Sequence, residues 1–138
     1  MVTPGRQFES SLTPMLSVRD AATAIAWYAR AFGAEETLRL SNGERVTHCE
    51  LRIGAAVFMV ADEFPEIGVL GPESIGGSPV MFLLLVPEVD AAFARAVEAG
   101  AMVVRPVEGD MLRNGKLLDP FGHRWMLMTH SEQGPELA

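Results

Sequence analysis

The segment Arg45 to Ile53 places Val46, His48, Glu50 and Arg52 at alternate positions. Successive side chains of a strand point to opposite faces, so these four share one side. Thr47, Cys49, Leu51 and Ile53 share the other, which is the more apolar and should receive a helix. His48, Glu50 and Arg52 then face the open side, where a ligand would sit. A histidine and a carboxylate two apart on a strand can serve as an acid–base pair, as two metal ligands, or as a plain His–Glu hydrogen bond. In an enzyme, Arg52 or Arg124 would hold an anionic group of the substrate. The competing reading is a solvated or internally paired strand face, and the segment alone does not choose between them.

The other positions expected to face inward are less polar: Thr13, Met15 and Ser17; Ala56, Phe58 and Val60; Met81, Leu83 and Leu85; Arg124, Met126 and Met128. A methionine-rich wall suits an adaptable apolar cavity, and equally an ordinary core. His123 falls at a turn-to-strand junction and reads as structural. His130 ends the last strand on the same face as Arg124, at the rim of any cavity. Cys49, on the helix-facing side, reads as a small core residue and not a nucleophile. There is no Gly-rich phosphate loop, no paired-Cys zinc spacing, no His-Glu-x-x-His and no Gly-x-Ser-x-Gly.

The elements that position these residues occur twice. From Leu12 to Asp62 the pattern reads strand, helix, strand, strand, strand, and from Pro79 to Thr129 it reads so again. The first helix is expected from Asp20 to Phe32, with Asp20 as N-cap and Gly33 as the C-terminal stop. Its buried stripe is Ala21, Ala24, Ile25, Tyr28 and Phe32. The second helix is expected from Val89 to Ala99, with the stripe Val89, Ala92, Phe93, Ala96 and Val97. Ser41-Asn42-Gly43 marks a hairpin, and Asp119-Pro120-Phe121-Gly122 a turn into the last strand. The modules span residues 11–62 and 79–130, joined by a Gly/Pro-rich linker over 63–78, with loosely held tails at 1–10 and 131–138. A repeat of this length implies an α+β chain of two equivalent modules whose curved sheet encloses a cavity.

Composition narrows the function further. The 138 residues are 49% hydrophobic and 21% charged, as in ordinary soluble domains. A net charge of −7 argues against a nucleic-acid partner. No apolar run approaches the roughly 20 residues that span a bilayer, so no membrane role is expected. No signal peptide is read at the N-terminus, and the single cysteine fits a reducing cytoplasm.

Three segments carry a family resemblance: Trp27-Tyr28-Ala29-Arg30-Ala31-Phe32-Gly33-Ala34, His48-Cys49-Glu50-Leu51-Arg52-Ile53-Gly54, and Asp119-Pro120-Phe121-Gly122-His123-Arg124-Trp125. Together they resemble the vicinal oxygen chelate superfamily of glyoxalase I, bleomycin-resistance proteins and extradiol dioxygenases, nearest its PhnB-like branch. The resemblance covers about Leu12 to His130. It implies two βαβββ modules curving into a U-shaped mixed sheet with helices outside. It also implies a homodimer in which one cleft often combines modules of two subunits. The superfamily's metal enzymes carry His and Glu at four inward positions, which fall here on Thr13, Phe58, Met81 and Met126. Phe and Met are poor ligands for a hard or borderline divalent cation. The resemblance therefore implies a cofactor-free protein that binds a small amphipathic molecule, of the drug-resistance type. The alternative is a lyase, isomerase or dioxygenase-type enzyme with His48 and Glu50 as an acid–base pair or as relocated ligands. The expected contact residues are Thr13, Met15, Ser17, Arg52, Phe58, Met81, Leu83, Arg124, Met126 and Met128.

Overall fold

The computed structural model describes residues 11–129. The first module runs β1 (Met15–Val18), α1 (Ala21–Phe32), β2 (Glu35–Asn42), β3 (Arg45–Ile53) and β4 (Ala56–Asp62). The second runs β5 (Met81–Val86), α3 (Val89–Glu98), β6 (Met102–Glu108), β7 (Asn114–Leu118) and β8 (Arg124–Thr129). Each module forms its own four-stranded mixed sheet, in the orders β1-β4-β3-β2 and β5-β8-β7-β6. The first strand of each module pairs parallel with the last, and the remaining pairs are antiparallel.

Local chemistry explains the boundaries of α1. The Asp20 carboxylate accepts from Thr23 N (3.1 Å) and from the Thr23 hydroxyl (2.8 Å), capping the first turn. Gly33 closes the helix at φ 70°, a conformation other residues adopt at a cost. Asp62, at the end of β4, accepts from Ala21 N (2.8 Å) and Val46 N (2.7 Å), tying the helix start to β3. In α3 the cap position is Glu88, which makes no side-chain capping bond.

The linker is more ordered than its composition implies. It holds a single 3₁₀ turn, Pro65–Ile67, and the short helix α2, Pro72–Ile75. Gly71 packs so closely on β1 that a Cβ there would lie 2.6 Å from the Ser17 carbonyl oxygen.

One hydrophobic core spans both modules, because α1 packs on α3 as well as on its own sheet. This contact buries Trp27, a residue outside the expected stripe, and its indole Nε1–H donates to Ala99 O at 2.8 Å. Phe58 of β4 and Trp125 of β8 meet in the same core, with ring centroids 5.6 Å apart.

Candidate functional site

The side of each sheet away from the helices is the candidate site, and register defines it. In β3, Cys49 and Leu51 are fully buried among helix-facing residues, so His48, Glu50 and Arg52 lie on the other face as expected. In β1, Leu16 and Val18 are buried and Met15 and Ser17 point away from the core. In β5 and β8, Leu84, Val86, Trp125 and Leu127 enter the core. Met81, Leu83 and Leu85 then share the open face with Arg124, Met126 and Met128, their register partners.

β4 departs from expectation. Ala56, Phe58 and Val60 do not face the open side; they pair with Ile53, Leu51 and Cys49 on the helix side. The Phe58 ring packs edge-on against Tyr28 at 5.4 Å, inside the core. The cause is the two-residue turn Gly54-Ala55, with Gly54 at φ 59°. Such a turn pairs the residues before and after it, so Ala56 must continue the face of Ile53. Phe58 is therefore a core residue and not a contact residue. Val57, Met59 and Ala61 take its place on the open face.

On the first module this face holds Met15, Ser17, Met59, His48, Glu50 and Arg52. Glu50 is buried and accepts a 2.5 Å hydrogen bond from the Thr37 hydroxyl of β2. Among the described residues no hydrogen bond or ion pair joins Glu50 to half-buried His48, which stands opposite Leu40. Thr37 was not apparent from sequence, because the irregular register between Glu36 and Leu38 sets its position. Thr13 precedes β1 and is half-buried. His130 lies outside the described residues.

The second module's face is apolar along β5, and its polar residues are Arg124 of β8 and Lys116 and Asn114 of β7, with Arg105 and Glu108 of β6 opposite the last two. Leu83 and Leu85 are 56% and 51% exposed, and Met81, Met126 and Met128 are half-buried. Arg124 stands opposite Leu118, and Lys116 opposite Met126. Alternation along Asn114–Leu118 would have revealed Lys116 had that strand been paired with β8. Arg124 also lines a cavity of about 400 Å³ with Pro72, Gly76, Ser78, Leu118 and Gly122. A larger cavity of about 940 Å³ lies between the modules, bounded by Phe32, the turn from Ile53 to Ala56, Leu83 to Glu88, and Arg95. It takes in Leu83 and Leu85 but none of His48, Glu50 and Arg52.

Two histidine and cysteine expectations can be placed. His123 is buried and donates from Nε2 to the Ser17 carbonyl at 3.0 Å, which joins β8 to β1 and gives it a structural role. Burial, reinforced by the nearby Glu36 charge, pushes the Cys49 thiol up to about 11, so it is no nucleophile at neutral pH.

The donor set does not fit the superfamily's divalent metal. The positions that the resemblance assigns to ligands carry Thr13, Met81, Met126 and Phe58; Phe58 faces the core, and its open-face neighbours Val57 and Met59 are apolar. Among the described residues no three His, Cys, Asp or Glu side chains lie close enough to hold an ion.

Paired βαβββ modules with open sheet faces define the architectural class of the vicinal oxygen chelate proteins. A model of the Glyoxalase/Bleomycin resistance protein/Dioxygenase superfamily matches residues 12–127, and the chain belongs to that superfamily. An uncharacterised protein of Mycobacterium bovis is 42% identical over 125 residues, covering 86% of this chain and 82% of that protein. An uncharacterised protein of Arabidopsis thaliana is 32% identical over 81% of this chain and 73% of its own length. Among solved structures, TioX from Micromonospora sp. ML1 superposes with a TM-score of 0.70 at 28% identity, over 88% of this chain and 99% of TioX. The product of an Arabidopsis thaliana gene superposes with a TM-score of 0.66 at 33% identity, over 87% and 97%. No helix among the described residues is long and apolar enough to cross a membrane.

Proposed function

We propose that this protein binds a small amphipathic molecule on its open sheet faces, as a homodimer, without metal at the superfamily's usual positions. The observation that carries this reading is the row Met81, Leu83, Leu85, Met126 and Met128, an adaptable apolar surface on which Leu83 and Leu85 are more than half exposed. Thr13, Met81 and Met126 at three of the expected ligand positions, with Val57 and Met59 as the open-face residues beside Phe58, support the same reading. The experiment is a thermal-shift screen of amphipathic and drug-like molecules beside elemental mass spectrometry of protein purified without chelator. A ligand at about a hundred times its Kd should stabilise the fold by about 2.7 kcal/mol. A transition metal retained at one equivalent would overturn the metal-free part of the proposal.

An enzymatic role for His48 and Glu50 has less support. Glu50 takes its hydrogen bond from Thr37, so it neither orients His48 nor is oriented by it. His48→Ala should change ligand affinity more than stability, because among the described residues its side chain has no hydrogen-bond partner to strand. A large fall in melting temperature with unchanged affinity would make His48 a structural residue.

A further inference from the structure

Cations of this chain are mostly spoken for. Arg19 pairs with Glu63 and Glu73, Arg39 with Glu36, Arg45 with Glu66, Arg105 with Glu108, and Arg113 with Asp90. Arg95 donates to Arg30 O at 2.8 Å. Among the described residues, Lys116 and Arg124 have no such partner, and both are half-buried on the open face of the second module. They sit on neighbouring strands, diagonal across the pair Leu118–Arg124 and Lys116–Met126, so they are roughly 7–8 Å apart at their backbones. Three of the four strands of this sheet, β5, β7 and β8, contain no Asp or Glu, and Glu108, which β6 sets opposite Asn114, is held by Arg105 at 2.9 Å. The one acid lining the adjoining cavity, Glu73, is engaged by Arg19 at 3.8 Å.

Two like charges set in an apolar surface repel one another and forgo part of their hydration. A negative charge between them relieves both costs. An arginine fork is suited to a carboxylate, sulfonate or phosphonate, whose oxygens it can bind in pairs.

We infer that the ligand of this face is an amphipathic anion, its acidic group seated on Arg124 and Lys116 and its apolar body on Met81, Leu83 and Met126. This inference rests on the reading of the face as a ligand surface. It adds the sign of the ligand's charge and the residues that select it.

The test compares two fluorescent probes on the full-length protein: anilinonaphthalene sulfonate, and N-phenylnaphthylamine, which has the same aromatic skeleton without the sulfonate. The anionic probe should bind about tenfold more tightly, the effect of one charge-assisted hydrogen bond. Arg124→Met and Lys116→Met should each remove most of that preference. Arg30→Met, an exposed cation of α1, should leave the preference intact, and Leu83→Ser should weaken both probes. Equal affinities, or a preference that survives Arg124→Met and Lys116→Met, would overturn the inference while leaving the face a binding surface. Binding of neither probe would remove the ligand surface and the inference together. Dissociation of a dimer by Arg124→Met, with probe affinities unchanged, would assign the cations to subunit pairing and likewise overturn it.

Discussion

Tyr28 of α1 donates its phenolic hydrogen to Asp119 across 2.5 Å, although the two are 91 residues apart in sequence. The same carboxylate oxygen accepts from the Trp125 indole at 2.9 Å. The other accepts from the backbone N–H of Phe121 (2.9 Å) and His123 (3.0 Å). Asp119 is thus a buried hub with four donors, and it fixes the turn before β8 to the helix of the other module. A buried carboxylate is tolerable only when so fully paired.

Removal of one donor shows what this hub contributes. Tyr28→Phe should cost about 1.5–3 kcal/mol at neutral pH, the range for a hydrogen bond to a charged acceptor. Burial, and then the Asp119 charge, push the Tyr28 hydroxyl well above its ordinary value of 10. The folded state therefore holds the proton more tightly than the unfolded state. The resulting stability is whole below about pH 10 and is lost as the pH rises from there toward the folded value. Tyr28 is the chain's only tyrosine, so phenolate absorbance reports it alone. That absorbance should appear only with unfolding; titration near pH 10 in the folded protein would break the account.

The turn itself gives a second prediction. Gly122 has φ 94°, and a Cβ there would lie 2.6 Å from Cβ of Pro72 in α2. A β-branched residue meets both the backbone strain and the clash. Gly122→Val should destabilise the fold by about 2–4 kcal/mol, combining the usual costs of the two effects. Gly43→Val, at φ 64° with open space around it, should cost only the strain. Equal losses in chemical denaturation would show that the contact with α2 is immaterial.

These two residues also show where the sequence was legible. The Asp-Pro-Phe-Gly turn follows from local conformational preference, as do the Asp20 cap, the Gly33 stop and the alternation of β1, of β3 from His48 onward, and of β5 and β8; Val46, expected beside His48, enters the core across a register shift. The role of Asp119 as an inter-module hub does not, because its partners are brought to it by tertiary packing. The burial of Trp27 escaped the helical stripe for the same reason: it faces α3, not the sheet. Phe58 faces the core against the expectation for β4, although the two-residue turn at Gly54-Ala55 already fixes the parity of that strand. Residue types on the open face were readable, but the Thr37–Glu50 bond depends on a register shift that no periodicity announces.

Cys49 provides a probe of the same core. It is fully buried on the core side of β3, and its thiol is pushed up to about 11. As the only cysteine, it should react with a thiol reagent at neutral pH only when the protein opens. Its labelling rate should follow global unfolding and slow when a ligand binds. Fast labelling of the folded protein would mean that α1 detaches from the sheet locally.

The helix-to-helix packing of the modules bears on assembly. Because α1 meets α3 in a shared core, the open faces of both sheets are left without cover from their own helices. Met15 on one face and Leu83 and Leu85 on the other are each more than half exposed. Adjacent apolar side chains in such number ordinarily mark an interaction surface. A two-fold dimer can set the open face of one subunit's first module against that of its partner's second, burying both with a cleft between them. Sedimentation at micromolar concentration should therefore give a dimer. Met15→Arg, placed on the first-module face, should shift it toward monomer without lowering the melting temperature of the monomeric fold, since Met15 lies outside the core. A wild-type monomer under these conditions would mean that each open face works alone, and the ligand would then have to supply the cover that a partner does not.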